Sequence, residues 1–429
     1  MVMFERYRQD RALELLRQTT RRLMSTLGEV NAQSLAIKLI DQYERLDAKQ
    51  RSRYFDFLAS DFNPESAEVK AAAERYACDS SAANLIALFH AVESPRQELL
   101  RRINRAPNGT HSIVKMREAM LPLLKDNPSW VSTDADMRHL LGSWFNPGFL
   151  ELHEVTWSSP ALLLEKIIQH EAVHAINGWD ELRRRLQPDR RCYAFFHRQL
   201  PDEPLIFVEV ALMPNIAREV SGLLSNDAPV GDPRTFKAAI FYSISNCQPG
   251  LKGVSMGNFL IKRVAEKLAR EMPTLKTYAT LSPIPGFTAW LEGGATLSEQ
   301  ALSAATCRRL AEARAVLDIP AKPWNAALPD GWHPDRCNES HREALISLCA
   351  AYLSYHTTSR QGDPVAHFHL SNGATLHQLN WAADLSRKGL SQSAGLMVSY
   401  LYDLRHVEEQ HEAFSLGQVI RSRAVAKLA

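Results

Sequence analysis

The sequence predicts an α+β protein, in which an N-terminal all-helical domain is followed by a domain built on a mixed β-sheet. In the first third of the 429 residues, apolar side chains recur at helical spacing and strand-like alternation is absent. After residue 200, short apolar runs rich in β-branched and aromatic residues appear, which are typical of buried strands. A chain of this length exceeds one ordinary hydrophobic core, so two domains are expected.

Residues 1–145 are predicted to form a helical bundle that serves as a scaffold or an oligomerisation module. Its apolar stretches at helical spacing lie within residues 11–23, 34–46, 85–92 and 114–124. No catalytic constellation stands out among them. The domain boundary is expected near Trp144-Phe-Asn-Pro-Gly-Phe149, where proline and glycine interrupt the helical pattern.

Residues 146–429 are predicted to form the catalytic domain, with a helical insertion at about 291–357. The predicted strands are 149–155, 191–196, 204–213, 238–245 and 278–281, and the strand system is expected to resume at Val365–Leu370 and to end near Tyr402. The predicted helices run from Ser159-Pro160 through Ile176, from Asn258 to Leu268 and from Leu416 to Leu428.

Composition and charge exclude several classes of protein. Hydrophobic residues make up 45% and charged residues 23%, as in ordinary globular enzymes, and the formal net charge of +2 implies no bulk polyanion such as nucleic acid as a partner. There is no run of 18 apolar residues that would predict a membrane span, and the acidic N-terminal segment does not resemble a signal or transit peptide. The six cysteines form no C-x-x-C pair, so we expect a reducing, cytoplasmic environment.

The loop between the strand 238–245 and the following helix has the features of an anion site. Glycines let the backbone approach a phosphate closely, and the first turn of a helix offers unpaired N–H groups and a favourable dipole. The spacing matches neither G-x-x-x-x-G-K-[ST] nor G-x-G-x-x-G, so a simple turn is the alternative interpretation. The residues expected to hold a phosphate, mainly through backbone N–H groups, are Lys252, Gly253, Val254, Ser255, Met256, Gly257 and Asn258.

One motif points to a metal, because His170-Glu-Ala-Val-His174 has the pattern H-E-x-x-H on a predicted helix. In zinc peptidases with this pattern the two His residues bind Zn²⁺ and the Glu activates a water molecule. Asn177 stands where the longer form of the motif has glycine, which leaves a Glu from a following helix as an open third ligand. Leu163 and Ile167 share the face of both His residues, so structural histidines are the simpler interpretation, and the zinc peptidase is kept as an alternative.

Several long motifs resemble the malonyl-CoA decarboxylase family. They are Phe241-Tyr-Ser-Ile-Ser245, Gly253-Val-Ser-Met-Gly-Asn-Phe-Leu-Ile-Lys-Arg-Val264, Leu281-Ser-Pro-Ile-Pro-Gly-Phe-Thr-Ala-Trp290, Phe368-His-Leu-Ser-Asn-Gly-Ala374, Asn380-Trp-Ala-Ala-Asp384 and Gly395-Leu-Met-Val-Ser-Tyr400. The resemblance covers roughly residues 140–410, and the N-terminal part only in its helical character. It implies a catalytic domain of the GNAT-type acetyltransferase fold, in which the strand–turn–helix holds the pyrophosphate of coenzyme A.

The resemblance also implies a carboxy-lyase that converts malonyl-CoA to acetyl-CoA and CO₂. Such an enzyme must hold the carboxylate out of the thioester plane, donate hydrogen bonds to the thioester oxygen, and protonate the α-carbon with a general acid. Because the thioester is itself the electron sink, no metal, biotin or pyridoxal cofactor is expected. A homotetramer and a role in malonate or fatty-acid metabolism are further implications of the family.

By the same resemblance, the Ser-Pro-Ile-Pro-Gly-Phe motif supplies a catalytic serine, Ser282, and the Phe-His-Leu motif supplies a catalytic histidine, His369. We expect His369 to donate the proton and Ser282 to orient the carboxylate or to assist proton transfer, because an unassisted serine hydroxyl is a poor base. Ser243 and Tyr402 match further active-site positions, and Tyr402 is expected to donate to the enolate oxygen or to hold His369. Without the resemblance, the four residues have ordinary interpretations as turn, strand or core residues.

One departure from the family affects the mechanism, since some members carry a glutamate where this chain has Ser255. A mechanism that needs a carboxylate beside the catalytic serine is therefore doubtful for this chain. Two other functions are open at this level. An acyl-CoA N-acyltransferase could use the same fold with an amine substrate, and a helical scaffold could bind acyl-CoA without turnover.

Overall fold

The computed structural model describes residues 2–25, 31–254, 260–297, 302–319, 323–324, 332–359 and 362–429. The chain divides into two compact units, each of them discontinuous in sequence. Unit 1 comprises Met1–Glu151, Phe196–Leu205 and Cys247–Met256, and unit 2 comprises Leu152–Phe195, Ile206–Asn246 and Gly257–Ala429. The two short later segments of unit 1 were not predicted from the sequence.

Unit 1 consists of helices, as the spacing of apolar residues predicted. They are α1 (Val2–Met24), α2 (Ala32–Glu44), α3 (Ala48–Asp61), α4 (Ser66–Cys78), α5 (Ala82–Val92), α6 (Pro95–Asn104), α7 (Gly109–Met120) and α8 (Val131–Trp144). Helix α3 shows how the sequence sets a helix start. Asp47 Oδ1 accepts a hydrogen bond from the Gln50 N–H, and Gln50 Oε1 accepts one from the Asp47 N–H, both at 2.8 Å. None of the described helices of the chain combines the length and the apolar character that crossing a bilayer requires.

The interior of unit 1 contains paired charges as well as apolar side chains. Trp130 is buried, and its Nε1–H donates to Asp56 Oδ1 at 2.8 Å. Two arginines are almost completely buried: Arg96 pairs with Asp136 at 2.6 Å, and Arg117 pairs with Asp134 at 2.8 Å. Because removing one partner of such a pair leaves an uncompensated charge, these pairs fix the helices that carry them.

Unit 2 is built on a sheet that is covered by helices. The described strands are β1 (Leu150–Val155, whose first two residues belong to unit 1), β2 (Arg190–His197, whose last two residues belong to unit 1), β3 (Ile206–Met213), β4 (Ala238–Asn246), β5 (Thr277–Thr280), β6 (Thr375–Asn380) and β7 (Met397–Leu401). The helices are α9 (Ala161–His170), α10 (Trp179–Arg185), α11 (Ser221–Leu224), α12 (Leu260–Glu271), α13 (Phe287–Glu292), α14 (Ala304–Val316), α15 (Glu339–Ala351), α16 (Pro364–Ser371), α17 (Arg387–Ser393), α18 (Val407–Ser415) and α19 (Arg423–Leu428). One turn of π-helix, Tyr352–His356, extends α15.

The seven strands of the sheet lie in the order β1-β2-β3-β4-β5-β7-β6. Strand β3 is antiparallel to β2 and to β4, β7 is antiparallel to β5 and to β6, and β4 and β5 are parallel. The mixed β-sheet predicted from the sequence is therefore confirmed. The apolar runs of β3 and β4 are buried along nearly their whole length, because both strands are central and packed on both faces.

The sheet opens beyond the middle of β4. Pairing of β4 with β5 runs from Ala238 opposite Thr277 to Phe241 opposite Thr280. After β5 the chain moves to β7, where the Ser282 N–H donates to the Val398 carbonyl at 2.8 Å and the Val398 N–H donates to the Ser282 carbonyl at 2.9 Å. Among the described residues, β5 does not pair with β4 beyond Phe241, and the candidate site lies at this opening.

Three predicted elements differ from the structure. Val365–Leu370, predicted to be a strand, lies in helix α16, whose start is set by Asp363 at the N-cap and Pro364 at the first helical position. The helix predicted through Ile176 ends at His170, the last residue of α9. The C-terminal helix begins at Arg423 rather than at Leu416, because the Ser422 hydroxyl caps it by accepting from the Val425 N–H.

Candidate active site

A cavity of about 230 Å³ lies in unit 2 where the sheet opens. Its walls come from the end of β4, from the loop after β5, from α16 and from the segment after α9. The residues that line it are Val173, Ile206, Phe241, Tyr242, Ile244, Asn246, Ser282, Pro283, Pro364, Val365, Phe368 and His369. Among these described residues there is no Lys, Arg, Asp or Glu, so a carboxylate that enters the cavity leaves water without meeting a formal counter-charge.

Ser282, His369 and Tyr402 form a hydrogen-bonded row at this cavity. Ser282 Oγ lies 3.0 Å from His369 Nε2, and His369 Nδ1 lies 2.9 Å from the Tyr402 hydroxyl. The imidazole also stacks on Tyr400, with 4.6 Å between the ring centroids. At the other end of the row, Ser282 Oγ donates to Thr280 Oγ1 at 2.9 Å. Three of the four predicted catalytic residues are therefore in direct contact.

Both ring nitrogens of His369 have hydroxyl partners, and the bond from Ser282 to Thr280 favours one tautomer. Because Ser282 donates its proton to Thr280, the Ser282 oxygen is left to accept, and Nε2–H is the available donor. Nδ1 then accepts from Tyr402. Burial lowers the pKa of His369 to about 3, and burial raises the pKa of Tyr402 well above its usual value of 10. In the free site the imidazole is neutral and the phenol keeps its proton.

Asp363 ties the loop of Ser282 to the helix of His369. One carboxylate oxygen caps α16 by accepting from the N–H groups of Val365 and Ala366, both at 3.0 Å. The other oxygen accepts from the Gly286 N–H at 3.1 Å. A Cβ at Gly286 would come within 2.3 Å of the Tyr352 hydroxyl, so only glycine fits there without displacing that side chain. Asp363 thus holds both the segment of Ser282 and the segment of His369.

The fourth predicted catalytic residue, Ser243, makes different contacts. Its hydroxyl lies 2.8 and 2.7 Å from the two carboxylate oxygens of Glu171, and it is not among the residues that line the cavity. Glu171 also accepts from the Ser245 hydroxyl at 3.2 Å. The structure therefore places Ser243 in a buried cluster with Glu171 and Ser245, and a catalytic role for Ser243 stays a prediction.

The predicted phosphate loop lies only in part within the described residues. Lys252 and Gly253 are exposed, Val254 is buried, and Gly253 has a φ of 75°, a left-handed conformation that favours glycine. Lys252 lines a second, open cavity of about 630 Å³ in unit 1, together with Arg51 and Lys115. The other predicted residues, Ser255, Met256, Gly257 and Asn258, lie outside the described residues. Phosphate binding stays a prediction.

The H-E-x-x-H motif does not lie on one helix as expected. His170 ends α9, and Glu171 leaves it with extended backbone angles, so the one-turn spacing of the two His residues is lost. Burial lowers the pKa of His174 to about 4, which keeps this imidazole neutral. Within the part of the chain that the structure describes, no group of three or more His, Cys, Asp or Glu side chains is arranged to hold a metal ion.

Three residues of the site were not singled out from the sequence. Thr280 ends the hydrogen-bonded row, Asp363 ties its two segments, and Glu171 was considered only as a base for zinc. The signal for Asp363 was present, since Asp followed by Pro is the usual start of a helix. Thr280 carries no such signal, because a threonine in a strand is common.

Comparison with known families covers most of the chain. A family model described as the malonyl-CoA decarboxylase C-terminal domain matches residues 148–429. A second model, described as the malonyl-CoA decarboxylase N-terminal domain, matches residues 62–145.

Individual relatives carry the same name. The mitochondrial malonyl-CoA decarboxylase of Mus musculus is 37% identical over 321 residues, which cover 71% of this chain and 65% of that protein. This chain thus spans somewhat less than two thirds of that relative's length. A crystal structure of malonyl-CoA decarboxylase from Rhodopseudomonas palustris superposes with a TM-score of 0.84 at 42% identity, covering 97% of this chain and 99% of the other. The structure from Agrobacterium vitis gives 0.82 at 42% identity, covering 96% and 99%.

Proposed function

The chain belongs to the malonyl-CoA decarboxylase family, and on that basis we propose that it converts malonyl-CoA into acetyl-CoA and CO₂. The observation that carries the proposal is the contact between Ser282 Oγ and His369 Nε2, 3.0 Å long, at an otherwise largely apolar cavity. Both residues lie in the motifs that resemble the family. The substrate class is therefore a malonyl thioester of coenzyme A.

In the proposed reaction the bond between C2 and the carboxylate carbon breaks. Its electron pair moves into the thioester to form an enolate, CO₂ leaves, and C2 takes up one proton. The described lining residues of the cavity carry no formal charge, which favours this direction because the carboxylate loses water and a neutral product leaves. The thioester is the electron sink, so the proposal includes no metal or organic cofactor.

His369 is the proposed proton donor. Its pKa of about 3 in the free site keeps it neutral, but the negative charge of a bound malonyl group favours the imidazolium and raises that pKa. The proton taken up with the substrate is the one that C2 receives, which accounts for the one proton that the reaction consumes. Tyr402, bonded to Nδ1 at 2.9 Å, orients the ring.

Ser282 is the proposed orienting group, or the relay through which the proton of His369 travels. Its hydroxyl lies between Nε2 and Thr280 Oγ1, so it stands beside the ring nitrogen of His369 that faces Ser282, and both residues line the cavity. The two roles differ in kinetics. Loss of an orienting contact weakens substrate binding as well as turnover, whereas loss of a relay lowers kcat alone.

We further propose that Lys252 to Asn258 hold the pyrophosphate of coenzyme A, mainly through backbone N–H groups. The support is the positive φ of Gly253 and the start of α12 at Leu260, within the described residues. A cytoplasmic homotetramer that acts in malonate or fatty-acid metabolism is the remaining part of the proposal. Light scattering on the purified chain tests the oligomeric state.

The central experiment measures acetyl-CoA formation from malonyl-CoA by the purified protein, with and without EDTA. Ser282→Ala and His369→Ala are assayed beside it, and His369→Ala is expected to lower kcat by about 10² to 10⁴, the usual contribution of a general acid. Turnover that survives EDTA and collapses in both variants supports the decarboxylase.

Other outcomes point elsewhere. Retained coenzyme A binding with no turnover in the unaltered protein would favour the acyltransferase or the non-catalytic scaffold. Activity that disappears only with EDTA would return attention to His170 and His174. Full activity in the Ser282→Ala and His369→Ala variants would reject the proposed site while leaving the reaction itself in place.

A further inference from the structure

The segment that follows α9 has an unusual set of hydrogen bonds. Ala172, Val173 and His174 belong to neither a helix nor a strand, yet all six of their backbone N–H and C=O groups are bonded to side chains. Backbone groups outside regular structure usually reach water or other backbone. Satisfying all six with side chains indicates that the position of this segment is closely defined.

The N–H groups are held by Glu171 and by a serine of β4. Glu171 Oε1 accepts from the Val173 N–H at 2.9 Å and from the His174 N–H at 2.7 Å, and Ser245 Oγ accepts from the Ala172 N–H at 3.2 Å. The same carboxylate receives the hydroxyls of Ser243 and Ser245, so four donors converge on one buried group. Glu171 therefore links the segment to β4.

The carbonyl groups are held by two cations. Lys388 Nζ, on α17, donates to the Ala172 carbonyl at 2.8 Å and to the Val173 carbonyl at 3.3 Å. Arg185 Nη2, on α10, donates to the His174 carbonyl at 2.9 Å, and its Nη1 pairs with the buried Glu209 of β3 at 2.5 Å. Glu171 and three separate elements of unit 2, β4, α10 and α17, thus fix three residues.

The product of this arrangement is one wall of the cavity. Val173 is among the lining residues, together with Ser282 and His369. Its side chain is rigid because it is β-branched, and its backbone is held on both sides. A rigid wall limits the volume available to the acyl group, whereas a mobile loop would move to make room for a larger acyl group.

We propose that Val173 limits the acyl group to unsubstituted malonyl, and that Glu171 is the positioning residue that holds Val173 in place through Ser243 and Ser245. The inference rests on the proposed function, since it concerns the selectivity of that same site. It excludes malonyl thioesters that carry an alkyl group at C2, such as methylmalonyl-CoA. It also gives Ser243 a structural task in place of a chemical one.

The test compares kcat/KM for malonyl-CoA and for methylmalonyl-CoA. One methyl group in an apolar pocket is worth about 10- to 200-fold in selectivity, so Val173→Ala should raise the ratio of methylmalonyl to malonyl kcat/KM by at least about tenfold. Val230→Ala, a valine that is 47% exposed, is the matched control and should leave the ratio unchanged.

Variants of the cluster test the positioning role. Glu171→Gln keeps the shape of the side chain but leaves one acceptor oxygen where there were two. Ser243→Ala removes one of the hydroxyl groups that donate to Glu171. Both should shift the ratio in the same direction as Val173→Ala. Glu181→Gln is the control, because Glu181 also accepts from a backbone N–H, that of Asn177, but is only partly buried. If Glu171 only stabilised the fold, Glu171→Gln would lower the melting temperature. The ratio of methylmalonyl to malonyl kcat/KM would then stay as in the unaltered protein.

The results separate the two levels of the proposal. An unaltered protein that turns over neither thioester would overturn the proposed function. The size limit is then read from binding, as the affinity for propionyl-CoA relative to acetyl-CoA in Val173→Ala and in the unaltered protein. A ratio that Val173→Ala does not change, in turnover or in binding, would overturn the inference. A large fall in kcat for both substrates with Ser243→Ala, at an unchanged ratio, would make Ser243 a catalytic residue instead.

Discussion

Ser282, His369 and Tyr402 show how a neutral imidazole can be prepared for proton transfer. Hydroxyl partners at both ring nitrogens favour one tautomer, and stacking on Tyr400 keeps the ring plane fixed. Because burial disfavours the imidazolium, the site holds no surplus proton before substrate arrives. In the proposed reaction, protonation of His369 is therefore linked to binding of the negatively charged substrate.

Tyr402→Phe tests the orienting hydroxyl. The substitution keeps the ring but leaves Nδ1 of His369 without its 2.9 Å partner, at a cost of about 1 to 3 kcal/mol. We expect kcat to fall by about 5- to 100-fold, measured by acetyl-CoA formation. Tyr278→Phe is the control, because its hydroxyl is buried without a hydrogen-bond partner among the described residues, and kcat should change little. Equal losses in both variants would contradict the assigned role.

The buried imidazole also predicts a dependence of stability on pH. The folded pKa of His369 is about 3, whereas the unfolded value is about 6.5. Between these values the unfolded chain binds more protons, so the contribution of His369 to the free energy of unfolding falls as pH falls, by up to about 1.4 kcal/mol per pH unit. His369→Gln removes this contribution.

Urea unfolding of the unaltered protein and of His369→Gln measures that dependence. The difference between their free energies of unfolding should be constant above about pH 7 and should decline below about pH 6.5. A difference that grows on acidification would show that the folded protein holds a charged imidazole at position 369.

At the scale of single elements, the start of α16 decides where His369 lies. Asp363→Ala removes the acceptor for Val365, Ala366 and Gly286, and should lower the free energy of unfolding by about 1 to 2 kcal/mol. We also expect kcat to fall by about tenfold or more, because the segments of Ser282 and His369 lose their link. Asp363→Asn keeps an acceptor for the helix cap, so it should lower both the free energy of unfolding and kcat by less than Asp363→Ala.

A second helix cap supplies the control for that substitution. Ser303 caps α14 by accepting from the Thr306 N–H at 3.1 Å. Ser303→Ala should lower stability by a similar amount, about 1 kcal/mol, with kcat unchanged. Suppose that Asp363→Ala lowered stability and left kcat unchanged, as we expect for Ser303→Ala. That result would show that the link between the segments of Ser282 and His369 does not contribute to turnover.

The sequence predicted elements well where one hydrophobic period dominated. It predicted them poorly where side-chain hydrogen bonds to the backbone set where a helix begins or ends. The strands 204–213 and 238–245 were clear because both are central and buried. The stretch Val365–Leu370 is equally apolar, but its helical state follows from Asp363 and Pro364, which precede the pattern. The helix through Ile176 failed because Glu171 turns back to accept from the N–H groups of Val173 and His174, which competes with helix continuation.

The candidate site was predictable in part for a related reason. Ser282 and His369 came from motifs, and the structure brings them to 3.0 Å. Ser243 came from a motif as well, but its direction toward Glu171 depends on a bulge where the register of β3 and β4 shifts at Glu209 and Val210. A bulge reverses which face a side chain takes, and no local pattern in the sequence announces it.

At the scale of the whole molecule, both units are assembled from separated parts of the chain. Unit 1 takes in residues 196–205 and 247–256, far from its helices in sequence. Within it, Arg117 donates to the Gly250 carbonyl at 2.7 Å, and a Cβ at Gly250 would lie 2.1 Å from the Val114 carbonyl oxygen. This close packing makes the segment 247–256 dependent on α7.

A chain reduced to residues 146–429 should therefore not be an independent folding unit. Its segments 196–205 and 247–256 lose the helices that they pack with inside unit 1. We expect thermal unfolding, followed by circular dichroism and calorimetry, to be broader and to occur at lower temperature than in the full chain. Co-expression of residues 1–145 should restore a sharp transition. A sharp transition of the short chain alone, at the temperature of the full chain, would contradict this expectation.

The divided make-up of unit 1 has a consequence for the chain as it leaves the ribosome. The helices up to Trp144 emerge first, but the segment that ends at Met256 follows only about 100 residues later. At roughly 5 to 20 residues per second, that interval is on the order of 5 to 20 seconds. During this interval the surface of α7 that packs against Gly250 is uncovered. We therefore expect chaperones to bind nascent chains of this length.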